Sequence, residues 1–174
     1  MNEPDVMVRV ADEPIPFGRS FVQSEAFRAL FREGMGLVED TAAYLDGPGR
    51  EESRGLSRTA ALTYASESMR LTTRLMQIAS WLLVQRAVSE GEITPSQALT
   101  EKNRVRLSTQ ETPSSFTEFE ALPERLKELV GLSVRLHARI LHLDQLTTEG
   151  QPGLTPDSPV AVQQWLLRSA FGRR

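Results

Sequence analysis

Residues 64–88 read YASESMRLTTRLMQIASWLLVQRAV, with neither proline nor glycine to interrupt a helix. Within them, residues 75–84 are apolar at eight of ten positions. A helix with one buried side carries a single apolar stripe. Here Leu75, Ala79 and Leu82 fall on one face, Met76 and Leu83 on a second, and Ile78 with Trp81 on a third. A helix apolar on several sides must be covered on several sides. That places it at the centre of a helical bundle, with apolar surface left over for a partner. Leu75, Met76, Ile78, Ala79, Trp81, Leu82 and Leu83 are therefore expected to serve the core or a homodimer contact.

The rest of the composition narrows the class. A chain of 174 residues makes one domain, or one domain with tails. Its net charge of −3 is too small to point to nucleic acid as a direct partner. The chain has no cysteine, which excludes disulfides, thiol catalysis and cysteine-ligated zinc, and which suits a reducing cytoplasm. Residues 1–16 are acidic and broken by proline, unlike a secretory signal. The longest uncharged apolar stretch, residues 75–85 between Arg74 and Arg86, falls short of the ~20 residues a membrane-spanning helix needs. A cytoplasmic protein without a membrane span is expected.

Punctuation along the chain divides it into a flexible N-terminal arm (1–18), a helical bundle (19–150) and a flexible C-terminal tail (151–174). Helix one is expected to open near Ser20, which has capping-box spacing to Gln23. Gly34 and Gly36 inside it mark either the close approach of another backbone or tolerated weak points, at ~1 kcal/mol each relative to alanine. Asp46-Gly47-Pro48-Gly49 should end the helix with a left-handed glycine cap, and residues 50–56 then read as a charged linker. Helix two is expected from Ser57 to Glu90-Gly91, roughly 50 Å long at ~1.5 Å per residue. Thr94-Pro95-Ser96-Gln97 reads as cap, N1 proline and capping-box glutamine, opening a short helix to about Asn103. Residues 105–119 read as a polar loop. Helix three opens at Pro123, with a seam of Leu122, Leu126, Leu129, Ser133, Leu136, Ile140 and Leu143 at spacings of three and four. The expected fold is all-α, an up-down-up three-helix bundle with a long central helix.

Little of the chain reads as catalytic. His137 and His142 are five apart, so they do not stack on one helix face as paired metal ligands would. Glu67, Arg70, Arg74 and Gln77 share a stripe of helix two. That stripe is either a solvated face of i,i+3 pairs or the edge of an interface whose register the charges set. Gly47-Pro48-Gly49-Arg50 lacks phosphate-loop spacing and reads first as a helix stop. The tail holds VAVQQWLLRSAFGRR beyond a proline-rich linker. It can form a short amphipathic helix that packs on its own bundle, docks in a partner's groove or touches a membrane surface. Trp165, Leu167 and Phe171 are its candidate anchors, alongside Glu67, Arg70 and Arg74 on helix two. No catalytic, cofactor or metal residue is singled out.

Four runs carry a resemblance to a known family: GMGLVEDTAAYLDGPGR at 34–50, the 64–88 segment, Gly91-Glu92, and EKNRVRL at 101–107. In these the chain closely resembles the RcdA family, bacterial regulators of CtrA degradation. The resemblance implies a dimeric three-helix bundle without catalytic activity or cofactor. It also implies an adaptor that links substrates such as the response regulator CtrA to the ClpXP protease primed by CpdR. PopA, a cyclic-di-GMP receptor, is a further implied partner, and recruitment to the cell pole with the protease is implied as well. Two other classes stay open on the residues alone. One is an enzyme with an unrecognised site between helices, and the other a DNA-associated regulator.

Overall fold

The computed structural model describes residues 21–104 and 115–149, and every regular element among these is a helix. Helix α1, Glu25–Asp46, starts at the N-cap Ser24, whose Oγ accepts the Phe27 N–H. Glu25 in its first turn suits the positive end of the helix dipole. Ser20, the expected cap, lies outside the described residues.

Gly47 ends α1 by donating its N–H to the carbonyls of Ala43 and Tyr44. Its φ of −113° is not left-handed, contrary to the expected cap. What the position requires is the missing side chain, because a Cβ would stand 2.9 Å from the Ala43 carbonyl oxygen. The segment expected as a linker is largely helical: α2 spans Pro48–Arg54. Proline at the first helical position gives up an N–H that had no partner anyway, so it restarts a helix as readily as it stops one.

Helix α3, Arg58–Ser89, is capped by Ser57 accepting the Ala60 N–H and closes at Glu90, followed by Gly91 at φ 75°. Helix α4, Pro95–Arg104, opens on the expected box: Thr94 Oγ1 accepts the Gln97 N–H at 3.2 Å, and Gln97 Oε1 accepts the Thr94 N–H at 2.9 Å. The expected polar loop contains one short helix, α5 (Phe116–Glu120), with a complete capping box between Ser115 and Glu118. Helix α6, Glu124–Glu149, carries the third seam.

The three long helices share one core. Leu71, Leu75, Ile78 and Leu82 of α3 meet Phe27, Leu30 and Leu37 of α1 and Leu126, Leu129, Leu136 and Ile140 of α6. Each such side chain contributes about 1.5–3 kcal/mol on burial. The expected α6 seam is buried from Leu122 to Ile140, and Leu143 packs at its edge.

Side-chain pairs fix the helix directions. α1 and α3 are antiparallel, with Arg86 over the Phe31 ring at one end and Tyr44 beside Tyr64 at the other. α1 and α6 are also antiparallel, through Glu33–Arg139 and Asp40–Arg125. α3 and α6 run parallel: Arg74 reaches Ser133 at 2.9 Å and Trp81 reaches Asp144 at 2.8 Å. The all-α bundle is as expected, while its third helix runs alongside the second, giving up-down-down. Antiparallel neighbours follow from short loops. Here α4 and α5 intervene between α3 and α6.

Candidate interaction surface

Of the polar side chains singled out on helix two, Arg74 reaches across the α3–α6 seam, while Glu67 and Arg70 pair along α3 itself. Glu67 is buried and pairs with Arg70, itself partly exposed. The stripe is therefore not a solvated face at Glu67. One turn on, Arg74 donates to Ser133 Oγ at 2.9 Å, and Ser133 Oγ donates to the Val130 carbonyl at 2.7 Å. His137 lies one turn beyond Ser133 and is buried, with Nε2 enclosed. Burial, and then the Arg74 charge, pull its pKa below the usual 6.5. His142 is exposed, so the two histidines do not converge. At the far end, Asp144 accepts from both Trp81 and Lys102. Periodicity groups Glu67, Arg70 and Arg74 on one stripe; that Arg74 is received by Ser133 of the third helix could not be read from it.

Of the residues expected in the core or a dimer contact, Leu75, Ile78, Trp81 and Leu82 are buried and Ala79 is half-buried. Met76 and Leu83 face outward, 61% and 52% exposed. They continue a row with Leu62 and Met69, at 65% and 72%, so four large apolar side chains recur every seven residues on the open side of α3. Between them sit only small residues: Ala65 and Ser66, Thr72 and Thr73, Ala79 and Ser80. No member of this face carries a charge. Leu62 and Met69 were missed by the sequence reading, although the heptad interval was their signal.

At the other end of the bundle, Tyr44 Oη donates to Glu52 Oε2 at 2.6 Å. Burial and the Glu52 carboxylate push the Tyr44 phenol well above its ordinary value, so it stays protonated. Gly49 is buried beneath this corner, where a Cβ would stand 2.6 Å from Tyr64 Oη and 2.8 Å from the Tyr44 ring. The Gly47-Pro48-Gly49-Arg50 motif thus serves tyrosine packing. Among the described residues no three potential metal ligands gather, and no helix is long and apolar enough to cross a membrane. Trp165, Leu167 and Phe171 lie outside the described residues.

Comparison with known proteins places this arrangement in a lineage. Residues 18–171 match the model of a family described as a protein of unknown function (DUF1465). Among solved structures, the chain is similar to RcdA from Caulobacter crescentus CB15, with 53% sequence identity and a TM-score of 0.61. The match covers 74% of this chain and 96% of that one. A search of curated proteins finds no match. With the identity this high over nearly the whole of that protein, the chain belongs to the RcdA family.

Proposed function

We propose that this protein is a non-enzymatic adaptor of regulated proteolysis, which as a cytoplasmic homodimer brings substrates such as CtrA to the ClpXP protease. The reading rests on one observation, the 53% identity to RcdA over 96% of that chain. In this reading CpdR primes the protease, PopA is a further partner, and the adaptor travels with the protease to the cell pole. The partly exposed guanidinium of Arg70 and its neighbour Arg74, held by Glu67 and Ser133, are proposed as one contact surface. Trp165, Leu167 and Phe171 of the tail are proposed as a second, since buried aromatic and aliphatic anchors carry most of the energy of protein contacts.

The test is a reconstituted degradation assay with purified ClpXP, CpdR and CtrA. Adding the protein is expected to raise the rate of CtrA loss, and a chain truncated at Gly150 is expected to stay folded yet deliver less. A rate unchanged by the full-length protein would refute adaptor function. Normal delivery by the truncated chain would remove the tail from it.

A further inference from the structure

We propose that α4 is a detachable flap, which opens as a unit while the three-helix bundle stays folded, and that the ion pair of Lys102 with Asp144 is its latch. The inference is independent of the proteolysis reading above, because it concerns a movement within one chain.

Little apolar surface holds α4 down. It packs on α3, yet from Pro95 to Thr100 every side chain except Ala98 is exposed. Leu99, its one large apolar side chain, is 39% exposed. The methyl of Ala98, 5% exposed, supplies far less burial than the leucines and phenylalanine that join α1, α3 and α6. A helix shorter than ~12–15 residues is marginal in water by itself. With ten residues, α4 keeps its form only while docked. Its opening therefore costs much less than unfolding of the bundle, and it occurs as one cooperative event.

Hinge and latch lie toward opposite ends of the flap. The turn leading into α4 is fixed to the last turn of α3: Gly91 donates its N–H to the Val88 carbonyl at 3.1 Å, and Glu92 donates to Ala87 at 2.9 Å. The chain can thus swing beyond Ile93 without loosening α3. Toward the other end, Lys102 Nζ meets Asp144 Oδ1 at 2.6 Å, the same oxygen that accepts the Trp81 indole N–H at 2.8 Å. Two donors on one oxygen set the Lys102 ammonium beside the indole edge. Both charged side chains are partly buried, so solvent and salt screen their attraction less than that of a surface pair. When α4 opens, Asp144 retains the indole, and the edge of Trp81 next to a carboxylate reaches solvent. The closed bundle keeps that aromatic hidden, at 3% exposure.

Amide hydrogen exchange read by mass spectrometry separates the flap from the bundle. In the unaltered full-length protein, the amides of residues 98–102 are expected to exchange at least about 100-fold faster than the slowest amides of α3 and α6. Lys102→Met keeps the side chain's length and removes its charge. It is expected to speed α4 exchange by a further ~3- to 10-fold while leaving the slow amides of α1, α3 and α6 unchanged. A second variant, Ala98→Asp, puts a carboxylate at the docking point. It should abolish protection in α4 alone, with the helical circular-dichroism signal falling by no more than the share of ten residues. Exchange of α4 as slow as that of the α3 core would overturn the inference, as would unfolding of the whole chain by Ala98→Asp. An acceleration by Lys102→Met that every helix shares, or none in α4, would overturn the ion pair as the latch.

Discussion

The indole Nε1 of Trp81 donates to Asp144 Oδ1 at 2.8 Å, across the seam between α3 and α6. The same oxygen accepts Lys102 Nζ at 2.6 Å, so one carboxylate ties together α3, α4 and α6. Trp81 is 3% exposed, which makes its N–H costly to leave without an acceptor. Asp144→Ala is expected to lower stability by about 1–3 kcal/mol. Asp144→Asn, which keeps an acceptor oxygen for the indole and gives up the ion pair, should cost less. Urea denaturation of the two variants checks the order, and equal losses would assign the effect to charge alone.

The two glycines inside α1 should respond in opposite ways. Gly34 lies against α3, where a Cβ would collide with Leu82 Cδ1 and also reach Ile78 and Leu136. Gly36 faces open space, with nothing within 4 Å of an added Cβ. Gly34→Ala is expected to destabilise by about 1–3 kcal/mol through overpacking. Gly36→Ala should stabilise by up to about 1 kcal/mol through helix propensity. Thermal melts moving in the same direction would refute the assignment of Gly34 as the contact glycine.

Charge introduced on the α3 core should unfold the bundle, whereas loss of charge beside it should not. Leu75 and Leu82 are 4% and 0% exposed. An aspartate at either position buries a carboxylate at a cost of several kcal/mol, against a total stability of about 5–15 kcal/mol. Arg70→Ala removes the partner of Glu67 on the same helix and is expected to cost about 1–2 kcal/mol while leaving the chain folded. Circular dichroism at 25 °C separates the outcomes: helical signal lost for the leucine variants, kept for Arg70→Ala.

His137 gives the bundle an acid sensitivity whose sign is fixed. Its folded pKa lies below the ordinary 6.5, because burial and the Arg74 charge oppose the imidazolium. Above about pH 6.5 the side chain is neutral in both folded and unfolded states and contributes no pH dependence. As the pH falls through that value the unfolded chain takes up the proton first, so stability is lost. His137→Gln is expected to reduce the fall in unfolding free energy between about pH 7 and pH 5. An identical fall in both proteins would show that His137 does not carry it.

Features encoded within one turn of helix were legible in the sequence. Ser57, the Thr94–Gln97 box and the α6 seam fall where spacing put them, because a cap or an i,i+4 row depends only on neighbouring residues. Pro48 was read as a stop because the Gly-Pro-Gly context ends α1, and the same proline begins α2. Ser115 and Glu118 had the spacing of a cap and were passed over in a polar run. Periodicity shows that Glu67, Arg70 and Arg74 share a face without saying which helix lies opposite. It also could not separate Met76 and Leu83 from Leu75 and Leu82, since one apolar side chain looks like another until the neighbours are placed. The direction of α6 was hidden for a related reason: it depends on where the 90–123 connection travels, which its composition does not record.

The parallel course of α3 and α6 has a consequence for synthesis on the ribosome. The α1–α3 hairpin is complete once Glu90 has emerged, yet its third wall waits until α6 has been made. At 5–20 residues per second that interval is roughly 3–12 seconds. Throughout it, Arg74 and Trp81 face water in place of Ser133 and Asp144, their later partners on α6, and the outward leucines and methionines of α3 are bare as well. The nascent hairpin is thus uncovered on two sides at once, which makes this stage of its life the one most exposed to aggregation and to capture by chaperones.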